Sequence, residues 1–147
     1  MLFRIRPAGG EDVAVIAEIE QAAPSAWPAS QIELELQQLN GISLIACSEA
    51  DACAAGWCCA RYCPPEAELL KIAVIPRYRR SGAASRLLAE LFRQIVKRGC
   101  SEIFLEVRRN NLPAQELYRK IGFFELALRK SYYRDPPDDG IVFKKYI

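Results

Sequence analysis

One stretch constrains the fold of this chain more than any other. A largely apolar run at residues 68–75 leads through a basic loop into a strongly amphipathic segment. In that segment Ala84, Leu87, Leu88, Leu91, Phe92, Ile95 and Val96 recur at helical spacing, with Arg86, Glu90, Arg93, Gln94 and Lys97 on the other side. Gly99 stands where a left-handed C-terminal cap belongs. A central strand, a short loop and a long one-faced helix, in that order, demand a sheet for the helix to lie on. The loop itself carries Arg77, Arg79, Arg80, Ser81, Gly82 and Ala83. A helix start presents unpaired backbone N–H groups and about half a positive charge, small residues let an anion come close, and arginines add charge-assisted bonds. These residues fit either a diphosphate-like anion site or a solvated basic loop that only starts the helix. The loop has neither the G-x-x-x-x-G-K-S/T nor the G-x-G-x-x-G pattern.

The remaining elements fall around this unit. Residues 2–6 alternate as a first strand, with Phe3 and Ile5 on one face. Asp12 is placed to cap a helix carrying Val13, Ile16, Ala17 and Ile19, and Ser30 a second helix running to Leu39. The prolines of 23–28 mark a loop between them. Residues 42–47 and 53–62 read as a hairpin around the polar turn 48–51, and Pro64-Pro65 ends it. The run 68–75 reads as a strand buried on both faces. Residues 101–107 form the next strand, Asn111 caps a helix whose apolar face is Ala114, Leu117, Tyr118 and Ile121, and Gly122 ends it. Strands 123–133 and 141–146 close the chain around the turn 135–140. The expectation is one mixed α/β (α+β) domain over 1–147, with a single central sheet flanked by helices.

Composition removes several classes of function. The chain has 147 residues and a formal net charge of +2, too little to argue for nucleic acid or a membrane surface as partner. No run approaches the roughly 18 apolar residues of a membrane span, and no basic start precedes an apolar targeting segment, so a cytoplasmic location is expected. There is no histidine, which excludes Ser-His-Asp and Cys-His machinery. Of the 6 cysteines, Cys47, Cys53, Cys58, Cys59 and Cys63 crowd into 47–63 and Cys100 stands apart; none has C-x-x-C spacing, so no metal site is expected. They read as small apolar strand residues in a reducing compartment.

Val74-Ile75-Pro76 followed by Arg79-Arg80-Ser81-Gly82-Ala83-Ala84 resembles the acyl-CoA signature Q/R-x-x-G-x-G/A of the GNAT superfamily of N-acetyltransferases. Leu105-Glu106-Val107-Arg108, then Asn111, then Leu117-Tyr118 and Gly122-Phe123 follow the second half of that superfamily's pattern. Within it the chain is most similar to the ribosomal-protein alanine N-acetyltransferases of the RimI type. The pieces are Ile72-Ala73-Val74, the run Arg129-Lys130-Ser131-Tyr132-Tyr133, and the acidic pair Asp138-Asp139. The resemblance covers about 66–143 well and the first half loosely. It implies a mostly antiparallel sheet and acetyl-CoA as cosubstrate. It also implies that the backbone of Ile72, Ala73 and Val74 holds the pantetheine arm and that Arg79, Arg80, Ser81, Gly82, Ala83, Ala84 and Ser85 hold the pyrophosphate. Asn111 would contact the cofactor, Glu106 would act as general base and Tyr118 as general acid.

The chemistry agrees with those residue types. An α-amino group titrates at about 7.7–8.0, against about 10.4 for lysine, so a carboxylate suffices as its proton acceptor, directly or through water. A tyrosine near 10 stays protonated at neutral pH and can donate to a departing thiolate. Glu106 shares a face with Glu102 and Phe104 at the end of its strand; a plain salt bridge to Arg108 or a neighbour is its other reading, and core packing is that of Tyr118. The acceptor is expected to be a protein N-terminus such as that of a ribosomal protein. A small amine or a lysine side chain is the alternative, as is a non-catalytic acyl-CoA-binding or redox-sensing domain. Trp27-Pro28 and Asp138-Asp139-Gly140 depart from the pattern where the family contacts its acceptor.

Overall fold

The computed structural model describes residues 2–147. Strands β1 (Phe3–Pro7), β2 (Gly41–Ser48), β3 (Ala54–Cys63), β4 (Glu66–Val74), β5 (Glu102–Arg108), β6 (Phe124–Arg134) and β7 (Pro137–Tyr146) form one 7-stranded sheet in the order β1-β2-β3-β4-β5-β7-β6. Only β4 and β5 run parallel; every other neighbouring pair is antiparallel. Helices α1 (Val13–Glu20) and α2 (Ala29–Leu36) join β1 to β2, α3 (Ala83–Lys97) joins β4 to β5, and α4 (Leu112–Ile121) joins β5 to β6. No helix among the described residues is long and apolar enough to cross a membrane.

The sheet has a core on each face. Against α3 and α4 pack Phe3, Leu44, Cys58, Leu69, Ile103, Leu105 and Phe143, meeting Leu87, Leu88, Leu91 and Ile95 of α3 and Tyr118 of α4. Against α1 and α2 pack Ile45, Trp57, Cys59 and Ala73, meeting Ile16, Ile19 and Ile32. The neighbours Cys58 and Cys59 thus face opposite cores, as strand alternation requires. Burial raises the Cys58 thiol to about 12 and Cys59 well above its ordinary value. Such thiols are packing groups. No cluster of metal-binding side chains occurs among the described residues.

Several expected boundaries shift. Asp12 is not a side-chain cap for α1; its carboxylate pairs with Arg6 (2.8 Å) and accepts from the Gly9 N–H (2.8 Å), closing a 3-10 turn at Gly10–Asp12. α2 begins at Ala29 behind Pro28 without a cap from Ser30 and ends at Leu36; Leu39 lies 99% exposed. Val96 on α3 is half exposed rather than buried. β4 is not covered on both faces: Glu66 and Glu68 are exposed, because α1 and α2 reach only its later half. The final hairpin turns sooner than 135–140, with β7 starting at Pro137. Asn111 does cap α4, its Oδ1 accepting from the Ala114 N–H at 3.3 Å, and Gly99 (φ 89°) and Gly122 (φ 107°) take the left-handed positions that end α3 and α4.

Candidate active site

The two parallel strands part in mid-sheet. Their register runs only from Glu66 opposite Glu102 to Leu69 opposite Leu105, yet β4 continues to Val74 and β5 to Arg108. A bulge marks the place: Ala60 opposes Leu69 and Cys59 opposes Lys71, so Leu70 is the extra residue. Bulges bend a strand and break its ladder. Beyond it, backbone groups of Ile72, Ala73 and Val74 that face β5 have no strand to pair with. Such an edge accepts an extended polar ligand as an added strand.

The basic loop lies at the end of β4, as a 3-10 turn Pro76–Tyr78 followed by α3. Its arginines do different work. Arg77 pairs with Asp51 at 3.2 Å and lies 5.0 Å over the Tyr78 ring, while the Tyr78 hydroxyl donates to Asp51 at 2.7 Å. Arg79 donates to Val74 O (3.4 Å) and Ala22 O (3.2 Å). Those two arginines anchor the loop. Arg80, in a left-handed conformation (φ 59°), makes no hydrogen bond or ion pair to the described residues. The Ser81 hydroxyl donates to Tyr78 O. Gly82 opens α3 at φ 90°, with no side-chain cap and no acidic residue in the first turn. The first N–H of the α3 ladder is that of Arg86, bonded to Gly82 O at 3.0 Å, which leaves the amides of Ala83, Ala84 and Ser85 without helical partners. A Cβ on Gly82 would meet nothing within 4 Å, so the space before those amides is open. The arrangement fits a pyrophosphate.

On β5, Ile103, Leu105 and Val107 point into the α3/α4 core, which turns Glu106 to the α1/α2 face. Its Oε1 lies 3.5 Å from Arg129 Nη1, a half-exposed pair; Arg108, the expected alternative partner, points elsewhere. Glu106 also raises the Tyr132 hydroxyl above its ordinary value. Glu68 on the adjoining strand, exposed as a residue, is raised by partial desolvation of its carboxyl and then by the Glu106 charge. From the opposite face, Tyr118 packs edge-on to Phe123 (5.7 Å) and tilted against Phe143 (6.2 Å). Burial pushes its hydroxyl above the ordinary value, followed by the influence of Cys58, which opposes Ile72 across β3 and β4, and of Tyr133. The Tyr118 hydroxyl makes no hydrogen bond to the described residues, and no fully buried side-chain oxygen among them lacks a partner, so that hydroxyl reaches solvent. Glu106 and Tyr118 thus lie on opposite faces of the sheet.

The acidic pair is consumed in structure: Asp139 binds Arg109 (3.2 Å) and the Ser131 N–H (2.8 Å), and Asp138 accepts the Asn110 N–H (3.1 Å). Sequence reasoning missed a group that borders the site. Glu20, fully buried, accepts from the Trp27 N–H and from Trp57 Nε1, each at 2.9 Å, and pairs with Lys71 at 3.2 Å. The available signal was two opposite charges at otherwise apolar positions of α1 and β4.

A bulged central sheet that opens between parallel strands, with an uncapped helix start beside the opening, forms a candidate site for an extended ligand that carries an anionic group. The family model described as Acetyltransferase (GNAT) family matches residues 13–123, and the chain belongs to that family. A [ribosomal protein bS18]-alanine N-acetyltransferase of Haemophilus ducreyi is 38% identical over 56% of this chain and 59% of its own length. A Bacillus subtilis protein provisionally given that activity is 30% identical over 90% of this chain and 87% of its own. The crystal structure of the Escherichia coli ribosomal-protein-S18-alanine N-acetyltransferase superposes with a TM-score of 0.89 at 29% identity, covering 99% of this chain and 94% of that one. The first of these matches thus spans less than two thirds of its relative's length.

Proposed function

We propose that this chain transfers the acetyl group of acetyl-CoA to the α-amino group of a protein N-terminus, a ribosomal protein being the acceptor class its relatives name. The observation that carries the reading is the opening between β4 and β5, with the bare amides of α3 at one end and Glu106 at the other. Arg80 and the backbone of Ser81, Gly82, Ala83, Ala84 and Ser85 hold the pyrophosphate, with Arg79 fixing the loop that presents them. The backbone of Ile72, Ala73 and Val74 binds the pantetheine arm, and the free amide nitrogen of Asn111 adds a contact. Bound acetyl-CoA supplies an activated acetyl group.

The protein's own contribution is proton handling and alignment. Glu106 accepts a proton from the incoming ammonium, directly or through water, and at about 7.7–8.0 that ammonium needs only modest help at neutral pH. Arg129 is displaced at little cost, since half-exposed pairs contribute roughly 0–1 kcal/mol. Tyr118, kept protonated by its apolar surroundings, donates toward the departing sulfur. Direct attack needs no covalent enzyme intermediate, in keeping with a chain that has no histidine.

Mass spectrometry of an acceptor panel incubated with acetyl-CoA tests the reading. The panel contains peptides with free N-termini, the same peptides blocked at the N-terminus but carrying lysine, and polyamines. Acetyl addition at free α-amines first is the expected result. Acetylation confined to lysine side chains or polyamines, or none at all, would contradict it.

A further inference from the structure

The loop 21–28 between α1 and α2 is held from both of the parting strands. From β4, Lys71 Nζ donates to Pro24 O (3.1 Å) and Ser25 O (3.0 Å) while pairing with Glu20. From β5, Arg108 donates to the Ser25 hydroxyl through Nε (3.4 Å) and Nη2 (3.3 Å). Arg108 is itself fixed by Pro136 O (2.6 Å), Asp135 O (3.0 Å) and the Tyr133 ring (4.3 Å). Ser25, at φ 55°, therefore spans the gap where β4 and β5 separate. Beneath the loop, the Lys71 side chain is 12% exposed and Glu20 fully buried, and Trp27 sits edge-on to Trp57 at 5.8 Å. These contacts set the height of the loop above the sheet from the inside. Lys71, Arg108 and Glu106 all face the same side, so an amine reaching Glu106 passes beneath or beside this loop.

We propose that Lys71 and Arg108 fasten Ser25 as a fixed crosspiece over the opening, and that Lys71 is a positioning residue for the amine acceptor. The inference rests on the acetyl-transfer reading. A loop that is already ordered costs less to bind against, and its geometry fixes how the amine meets Glu106. The donor side meets this loop at Ala22, whose carbonyl accepts from Arg79 at 3.2 Å, three residues before Ser25.

Two variants separate the possibilities. Lys71→Met releases both carbonyls of the crosspiece. Ser25→Ala removes only an exposed hydroxyl and leaves every buried charge in place, so it decides the matter if Lys71→Met does not fold. Hydrogen exchange of the amides of 22–27 is measured alongside KM for a peptide acceptor and for acetyl-CoA. Exchange in the loop should quicken and peptide KM should rise about tenfold in Lys71→Met, and by less in Ser25→Ala, with KM for acetyl-CoA unchanged. Unchanged loop exchange and peptide KM in the folded variants would overturn the proposal, as would an equal rise in both KM values. Should wild-type protein acetylate no N-terminal peptide, the acetyl-transfer reading fails, and the exchange data alone still decide whether Lys71 and Ser25 fix the loop.

Discussion

Tyr118 and Glu106 illustrate how surroundings divide labour between two ordinary side chains. The tyrosine sits among Phe123 and Phe143, which keeps its proton on; the glutamate lies on the opposite face beside exchangeable partners, Arg129 and Tyr132. Replacing Tyr118 by Phe preserves the packing and removes one hydroxyl that makes no hydrogen bond among the described residues. We expect kcat to fall by about 10²-fold or more with the melting temperature nearly unchanged, the size typical of a lost proton donor. Steady-state kinetics with a thermal melt checks this. Asp12 carries a separate, pH-dependent prediction. The Arg6 guanidinium and the Gly9 N–H hold its carboxyl below the usual range. Its contribution is therefore present above the unfolded value of about 3.9 and is lost as pH falls through the lowered folded value. In urea titrations from pH 6 downward, about the range where carboxylates begin to protonate, the wild type should lose stability more steeply than Asp12→Asn. Parallel curves would refute the role. Asp12 also shows a limit of sequence reading. An acidic residue before an apolar run looks like a cap, and only the fold brings Arg6 alongside to claim it.

The strand–loop–helix unit around β4 and α3 was the most legible part of the chain, since a 15-residue helix with one apolar stripe admits few alternatives. Its fine structure was not. Arg77 and Arg79 look equivalent to Arg80 in sequence, but their partners Asp51 and Ala22 come from elsewhere in the fold. The bulge at Leu70 was equally hidden, because an apolar run does not reveal that its register slips. That bulge opens the sheet. Gly82 tests the anion site directly: Gly82→Asp would place a carboxylate before the bare amides of Ala83, Ala84 and Ser85. We expect acetyl-CoA affinity to weaken by about tenfold or more, as like charges meet at a helix start, with isothermal titration as the readout. Unchanged affinity would mean that the pyrophosphate lies elsewhere.

At the scale of the whole molecule, the sheet is a partition with a core on each face, and the candidate site lies where the partition opens between β4 and β5. Fold class and the order of elements could be read from hydrophobic periodicity because both cores obey it. The tie between the faces could not, since Glu20, Trp57 and Lys71 are far apart in sequence and meet only after α1 has packed on the sheet. Removing one partner of a buried pair strands the other, so Glu20→Ala should cost about 3–5 kcal/mol in urea unfolding. A loss below about 1 kcal/mol, the worth of an exposed pair, would show that the pair is not buried in solution. The account as a whole turns on Glu106 serving the chemistry and not the binding of the donor. Single-turnover transfer from acetyl-CoA to an N-terminal peptide, measured for Glu106→Gln alongside its acetyl-CoA affinity, is the most direct test. The account predicts wild-type acetyl-CoA binding with transfer slowed by about 10²-fold or more. Transfer at the wild-type rate in Glu106→Gln, with acetyl-CoA bound, would contradict it.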